Sequence, residues 1–315
     1  MRLKMGIDIG GTNIAAGVLN DRNELIDSYS LDIRGVQSEE KLLDSVKVCA
    51  KRLCVKMGIM PSDIEKVGIC APGMVERYSK IVRKAANLPF NDSFMGDVLK
   101  PEFQAPVYLA NDANAAALGE AIMGTGKRSN CFVMITLGTG VGGGIVINGE
   151  IYEGYNGHAG EIGHIIIEKG GRRCGCGQRG CLEAYASANA LIRDTKEAMI
   201  NNPESMLWNF AETVDHITGK TPFEAKKCGD RLAAEIIEAY SWNLAYGIVN
   251  IIHVLQPDVI SIGGGISKQG EYFLGPVRKI VYFMIGSDGT DNLPRLRVAK
   301  LGANAGIIGA AMLGS

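Results

Sequence analysis

The chain has almost no net charge, no long hydrophobic run and no dense set of cysteines. Its 33 basic and 34 acidic residues leave a formal charge of −1, so neither nucleic acid nor an anionic membrane is favoured electrostatically as a partner. The most apolar stretch, residues 245–255, is too short to cross a bilayer and carries Asn250 and His253. No basic n-region and apolar h-region open the sequence, and a cytoplasmic location is expected. Eight cysteines in 315 residues are too sparse for a disulfide scaffold. Cys49, Cys54, Cys70, Cys131 and Cys228 stand singly, mostly in apolar segments where a free thiol behaves as a small hydrophobe. What is abundant is glycine: 41 residues, roughly twice the usual share of ~7%. The glycines gather in loops after strand-like runs, which suits a backbone that must come close to a ligand.

With 315 residues, 46% of them apolar, the chain suits two soluble α/β domains. Residues 3–9 read as a buried strand ending in Gly10-Gly11-Thr12-Asn13, and the following IAAGVLN reads as its returning partner. Leu42, Val46, Cys49, Leu53 and Met57 have helical spacing within 38–57, stopped by Gly58 and Pro61. A strand at 66–70 runs into Ala71-Pro72-Gly73, and residues 87–92 read as a polar loop. A strand at 106–110 delivers Asn111-Asp112 to an Ala-rich helix over 113–123. The opening scheme then recurs: a strand at 130–137, a Gly/Thr turn over 138–144 and a returning IVIN strand, which suggests two related lobes. Helices are predicted over 182–200, 221–228, 230–255, 271–284 and 304–313, the second with Thr221 as N-cap and Pro222 at the first helical position. A strand at 258–262 ends in Gly263-Gly264-Gly265.

The sharpest chemical signal is His164-x9-Cys174-x-Cys176-x4-Cys181, bracketed by Glu161 and Glu183. Three thiols and one imidazole suit a closed, four-coordinate zinc set, structural because no position is left open, or stand as reduced structural thiols. Clustering in a reducing compartment favours metal over disulfide. His158 competes as imidazole but reads as a solvated loop residue. Glu161 and Glu183 read either as solvated surface carboxylates or as groups held rigidly for hydroxyl recognition. Gly138-x-Gly140-x-x-Gly143 matches a dinucleotide fingerprint by letter, yet a strand follows it where that fingerprint needs a helix. Gly124-Thr125-Gly126-Lys127 is no P-loop, because Arg128 stands where Ser or Thr is needed. The two Gly/Thr turns, with Thr12 and Thr139, can offer N–H and hydroxyl groups to phosphate oxygens, or can be plain tight hairpins. Asp8 at a strand end can hold hydrated Mg²⁺ or cap its own turn. Asp112 at a strand-to-helix junction reads as an N-cap or, since ligands collect at strand C-termini, as a general base.

These residues together resemble the ROK family of repressors, open reading frames and sugar kinases. The resemblance is carried by Asp8-Ile9-Gly10-Gly11-Thr12-Asn13, Ala71-Pro72-Gly73, Asn111-Asp112-Ala113-Asn114, Leu137-Gly138-Thr139-Gly140-Val141-Gly142, Glu161-x-Gly163-His164, Cys174-x-Cys176-Gly177-x-x-Gly180-Cys181-x-Glu183 and Ile262-Gly263-Gly264-Gly265. It implies an α/β, two-lobed, actin/hexokinase-like (ribonuclease H-like) fold with a zinc-stapled loop. Residues 1–111 would form the small lobe, with a helix at about 302–315 packing back on it, and 112–301 the large lobe. It further implies an ATP-dependent hexose kinase, most similar to the family's glucokinases, acting on the 6-hydroxyl. Asp112 would be the base. Asn111, Glu161, His164 and Glu183 would bind ring hydroxyls, with Asn87 and Gly73 at the rim. Asp8 would organise Mg²⁺, Gly10 to Asn13 and Gly138 to Gly140 would clasp ATP phosphates, and Gly263 to Gly265 would lie by the nucleoside. His164, Cys174, Cys176 and Cys181 would hold Zn²⁺, and a homodimer is suggested. Fructose, mannose, allose or N-acetylhexosamines such as N-acetylmannosamine and N-acetylglucosamine stay open as substrates. Polyphosphate as donor and a non-catalytic sugar sensor stay open as well. Only nine residues precede Gly10, so the repressors' DNA-binding extension is not expected.

Overall fold

A computed structural model describes residues 2–76, 81–85, 88–286 and 293–314. The strands are β1 (Leu3–Ile9), β2 (Asn13–Leu19), β3 (Leu25–Asp32), β4 (Ile64–Ala71), β5 (Met74–Glu76), β6 (Ile81–Ala85), β7 (Leu88–Phe94), β8 (Val107–Asn111), β9 (Cys131–Leu137), β10 (Val141–Ile147), β11 (Glu150–Ile151), β12 (Val259–Gly264) and β13 (Arg295–Val298). The helices are α1 (Glu39–Met57), α2 (Met95–Phe103), α3 (Asp112–Met123), α4 (Glu183–Ala186), α5 (Ala188–Asn201), α6 (Thr221–Lys227), α7 (Arg231–Leu255), α8 (Glu271–Ile285) and α9 (Ala305–Met312). One five-stranded sheet has the order β3-β2-β1-β4-β8 and the other β11-β10-β9-β12-β13. Both therefore run third, second, first, fourth, fifth, so the recurrence seen in the glycine turns extends to whole sheets.

The chain divides into two compact units. The first holds Met1–Met134, Gly144–Gly160 and Lys300–Ser315; the second holds Ile135–Gly143 and Glu161–Ala299. The division thus falls within β9 rather than at residue 111/112, and α3 goes with the first unit. The C-terminal helix α9 explains why, since its backbone lies directly on that unit. A Cβ on Gly68 of β4 would come within 1.7 Å of the Ala310 carbonyl oxygen, and one on Gly309 within 1.6 Å of the Ala115 carbonyl oxygen in α3. Glu120, fully buried in α3, accepts hydrogen bonds from Thr125 N, Thr125 Oγ1 and, at the start of the C-terminal segment, Leu301 N. Gly68→Val should therefore force α9 off the sheet and cost about 3 kcal/mol, read as a lowered denaturation midpoint.

In the first unit, β1, β2 and β3 pair antiparallel while β1, β4 and β8 run parallel. Met5, Ile7, Ile9, Val18, Ile69 and Leu109 bury the sheet core, and α1 covers it with Leu42, Val46, Cys49 and Leu53. Ser38 caps α1 by accepting from Lys41 N, and Gly58 ends it in the left-handed region. In the second unit, Asp230 caps α7, which buries Ile237, Leu244, Ile248 and Ile252. Among the described residues no helix is long and apolar enough to cross a membrane.

Several local expectations change. The polar stretch at 87–92 lies largely in β7, and Asn87 itself is outside the described residues. Pairing with β6 overrides the poor strand propensity of Asn91 and Asp92, and Arg83 bridges Glu76 and Asp92 across the small β5-β6-β7 sheet. Gly142, Gly143 and Gly144 belong to β10, not to the turn. The helix at 182–200 is broken at Ser187, which caps α5. Lys220, not Thr221, precedes the first residue of α6.

Candidate active site and metal centre

In the first unit, parallel pairing places Asp8 of β1 beside Cys70 of β4, and Ala71 beside Asn111 of β8, so three strand ends deliver polar groups together. The Cys70 thiol donates to Asp8 Oδ1 at 3.4 Å, and a Cβ on Gly306 would meet Asp8 Oδ2 at 2.3 Å. Burial pushes the Asp8 carboxyl up to about 6; the Cys70 hydrogen bond opposes this and the nearby Asp112 charge adds to it. A half-buried carboxylate that feels the charge of a second carboxylate suits a cation, which fits Mg²⁺.

The turn after β1 is held by Gly10 N donating to Asn13 O at 2.8 Å. Ile33 N donates to Thr12 O, and Asn13 Nδ2 donates to Ser30 Oγ, so β3 braces the turn from its side. Gly11, Thr12 and Asn13 are exposed. At the β8–α3 junction Asn111 is the N-cap: its Oδ1 accepts from Ala113 N and Asn114 N, while its Nδ2 donates to the Gly73 carbonyl. Asp112 is thus the first helical residue and not the cap. Gly73 takes φ +93°, a conformation that favours glycine.

In the second unit, the Gly138–Gly140 turn closes with Gly138 N donating to Gly140 O, and Gly138 O accepts from Ala188 N at the start of α5. A strand, β10, follows it, so the dinucleotide fingerprint is structurally absent. Gly263 and Gly264 end β12 and Gly265 follows. Gly264 has φ +83°, and a Cβ there would lie 2.3 Å from the Leu137 carbonyl oxygen, so that approach requires glycine.

The predicted sulfur cluster is assembled. One ligand atom each from His164, Cys174, Cys176 and Cys181 lies within 4.8 Å of every other. Cys174 Sγ is 3.7 Å from His164 Nδ1, and Cys176 Sγ is 3.7 Å from Cys181 Sγ. Zinc bonds of about 2.3 Å to sulfur and about 2.0 Å to nitrogen give tetrahedral edges of about 3.8 Å between sulfurs and about 3.5 Å from sulfur to nitrogen, so the donor set fits that ion. Burial raises the Cys174 thiol to about 12 and the Cys181 thiol upward, whereas the backbone N–H of Gln178 lowers Cys176. Buried thiols of this kind need a cation to become thiolates. The loop is fastened by Cys174 N to Gln178 O, Gly180 N to Arg172 O and Arg172 N to the Tyr185 hydroxyl. His158 is exposed and outside the cluster.

His164 turns Nε2 towards Glu161, 3.9 Å from Oε2, so this imidazole faces sulfur on one edge and a largely exposed carboxylate on the other. Glu183 differs from Glu161. Its Oε2 accepts from Val141 N at 3.0 Å, and its Oε1 lies 3.4 Å from Cys174 Sγ. Sequence reasoning missed the Cys70–Asp8 and Glu183–Val141 contacts, which join residues 62 and 42 positions apart; no local signal marks either.

Two five-stranded sheets of like strand order, each with a Gly/Thr hairpin turn beside a strand-end glycine or carboxylate, define the actin/hexokinase-like class of phosphate-handling folds. The ROK family profile matches residues 4–315, and the chain belongs to that family. Similar proteins include a glucokinase from Halalkalibacterium halodurans, 35% identical over 99% of this chain and 94% of the relative. A Thermotoga maritima glucokinase is 35% identical over 99% of this chain and 97% of its own length. Among solved structures, a ROK glucokinase from Streptomyces griseus in complex with glucose and AMPPNP superposes with a TM-score of 0.81 at 35% identity, covering 99% of this chain and 98% of that one.

Proposed function

We propose that this protein is an ATP-dependent hexose kinase that phosphorylates the 6-hydroxyl of glucose. The observation that carries the reading is the placement of Asp112: it opens α3 directly after β8, its Oδ1 accepting from Ala113 N, in the same unit as half-buried Asp8 and the turn whose Gly11, Thr12 and Asn13 are exposed. The glucokinase relatives and the glucose- and AMPPNP-bound neighbour support it.

Asp112 orients the sugar's 6-hydroxyl and accepts its proton as the oxygen attacks the γ-phosphorus. The bond from that phosphorus to the β–γ bridging oxygen breaks, and ADP leaves with the electron pair. Transfer of this kind passes through a loose transition state, so alignment and charge neutralisation do most of the work. Asp8 would hold hydrated Mg²⁺, which when bound offsets phosphate charge. The Gly10–Asn13 and Gly138–Gly140 turns take the donor phosphates, and Gly263, Gly264 and Gly265 line the nucleoside. Asn111 retains one amide hydrogen for a sugar oxygen, with Gly73 at the rim and Asn87 assigned there by resemblance alone. Glu161, His164 and Glu183 hydrogen-bond ring hydroxyls, Glu183 through Oε1. His164, Cys174, Cys176 and Cys181 would hold a structural Zn²⁺ that fixes the imidazole ring for this task. A cytoplasmic homodimer completes the reading.

Coupled ADP release across a panel of hexoses and amino sugars tests it. Glucose should give the highest kcat/KM; a higher value for an N-acetylhexosamine would reassign the substrate, and no stimulation by any sugar would reject the kinase. The pH profile follows from Asp8. As pH falls through about 6 its carboxyl becomes neutral and loses its hold on the cation, so kcat/KM for MgATP should drop on an acid limb near there. Folding responds in the opposite sense, because a carboxyl raised above its unfolded value adds stability as pH falls from about 6 towards 4.

A further inference from the structure

We propose that Glu183 is a positioning residue that holds the Gly138–Val141 turn in its phosphate-binding shape, so that order in the sulfur-cluster segment is transmitted to the nucleotide side of the enzyme. This rests on the reading of that turn as a phosphate clasp. Glu183 is the first residue of α4, two residues beyond Cys181, and its backbone is therefore fixed by the cluster segment. Its side chain reaches the turn: Oε2 accepts from Val141 N at 3.0 Å. Gly140 has made room for it, since a Cβ there would fall 2.2 Å from Oε2. Thr139, Gly140 and Glu183 share the wall of one cavity of about 500 Å³ with Asn189 and Arg193.

A turn containing Gly138 and Gly140 loses much conformational freedom when it orders. Its readiness to receive an anion depends on what anchors it. On one side the anchor is Ala188 N on Gly138 O, and on the other it is the Glu183 carboxylate on Val141 N. A carboxylate beside a phosphate site would repel the ligand if its charge were idle. Here one oxygen is committed to Val141 N–H and the other lies against Cys174 Sγ, so both oxygens have partners within this unit. The same residue can thus contact sugar through one oxygen and fix the turn through the other, and the second role is separable by measuring nucleotide in the absence of sugar.

Hydrogen exchange of the peptide spanning 136–143 in the metal-loaded, ligand-free protein reads the anchor directly, with affinity for a non-hydrolysable ATP analogue read alongside and metal content checked for each variant. Glu183→Ala removes a charge-assisted hydrogen bond and should raise exchange and weaken the analogue by about tenfold each. Glu183→Gln keeps an acceptor oxygen at the same reach and should restore both to within about threefold. Should the alanine variant fail to fold or lose metal, Glu183→Asp, one methylene short of Val141, must show the same rise in exchange. Unchanged exchange in whichever variant is used overturns the proposal. Raised exchange in a protein that makes no sugar phosphate leaves the anchor standing and removes only the kinase reading.

Discussion

Asp112→Asn should lower kcat by about 10²–10⁴ while the sugar's KM stays within a few fold. The amide is nearly isosteric and keeps a hydrogen-bonding oxygen for the 6-hydroxyl, but it cannot take the proton. The helix does not suffer, because Asn111 caps α3 through Ala113 N and Asn114 N. The loss therefore falls on turnover and not on folding, which steady-state kinetics with a parallel denaturation curve will separate. Asp8 also responds: removing the Asp112 charge takes away one of the influences that raise its carboxyl, so the acid limb of the MgATP profile should move down. Retained turnover would exclude Asp112 as the base.

Loss of the metal should be the second large effect. Cys181 is completely buried and pairs in space with Cys176, so Cys181→Ser replaces a soft donor by a poor one at the centre of the set. Metal content should fall from near one to near zero per chain, and sugar affinity should weaken by about 10–100-fold as His164 loses its fixed orientation. Elemental analysis and a sugar titration check both parts. The segment also carries bonds that need no ion, including Gly180 N to Arg172 O and the Arg172 guanidinium stacked 4.8 Å from the Tyr185 ring. The protein should therefore remain folded while losing hexose binding. Full sugar affinity in metal-free protein would mean that the cluster is not what orients His164.

The parts legible in the sequence were those whose cause is local. Strand β1 and its glycine turn, the helical spacing of Leu42, Val46, Cys49 and Leu53, and the His164-to-Cys181 ligand spacing all declare themselves within about twenty residues. The cap at Asn111 was hidden by the more conspicuous Asp112 next to it. Strand β7 was hidden because Asn91, Asp92 and Ser93 resemble a loop until β6 supplies backbone partners and Arg83 supplies charge. Cys70 looked like one more buried thiol, and only the parallel register of β1 with β4 shows it donating to Asp8. The unit boundary was missed for a related reason: Gly68 and Gly309 permit α9 to sit on β4 and α3, and no spacing within the helix announces that contact.

The most direct test is product identification. Metal-replete protein incubated with glucose and γ-labelled ATP should yield ADP and glucose 6-phosphate in equal amounts, with label on the sugar. Formation of ADP without labelled sugar phosphate, or no ADP above the sugar-free control, would contradict the assignment of this chain as a hexose kinase.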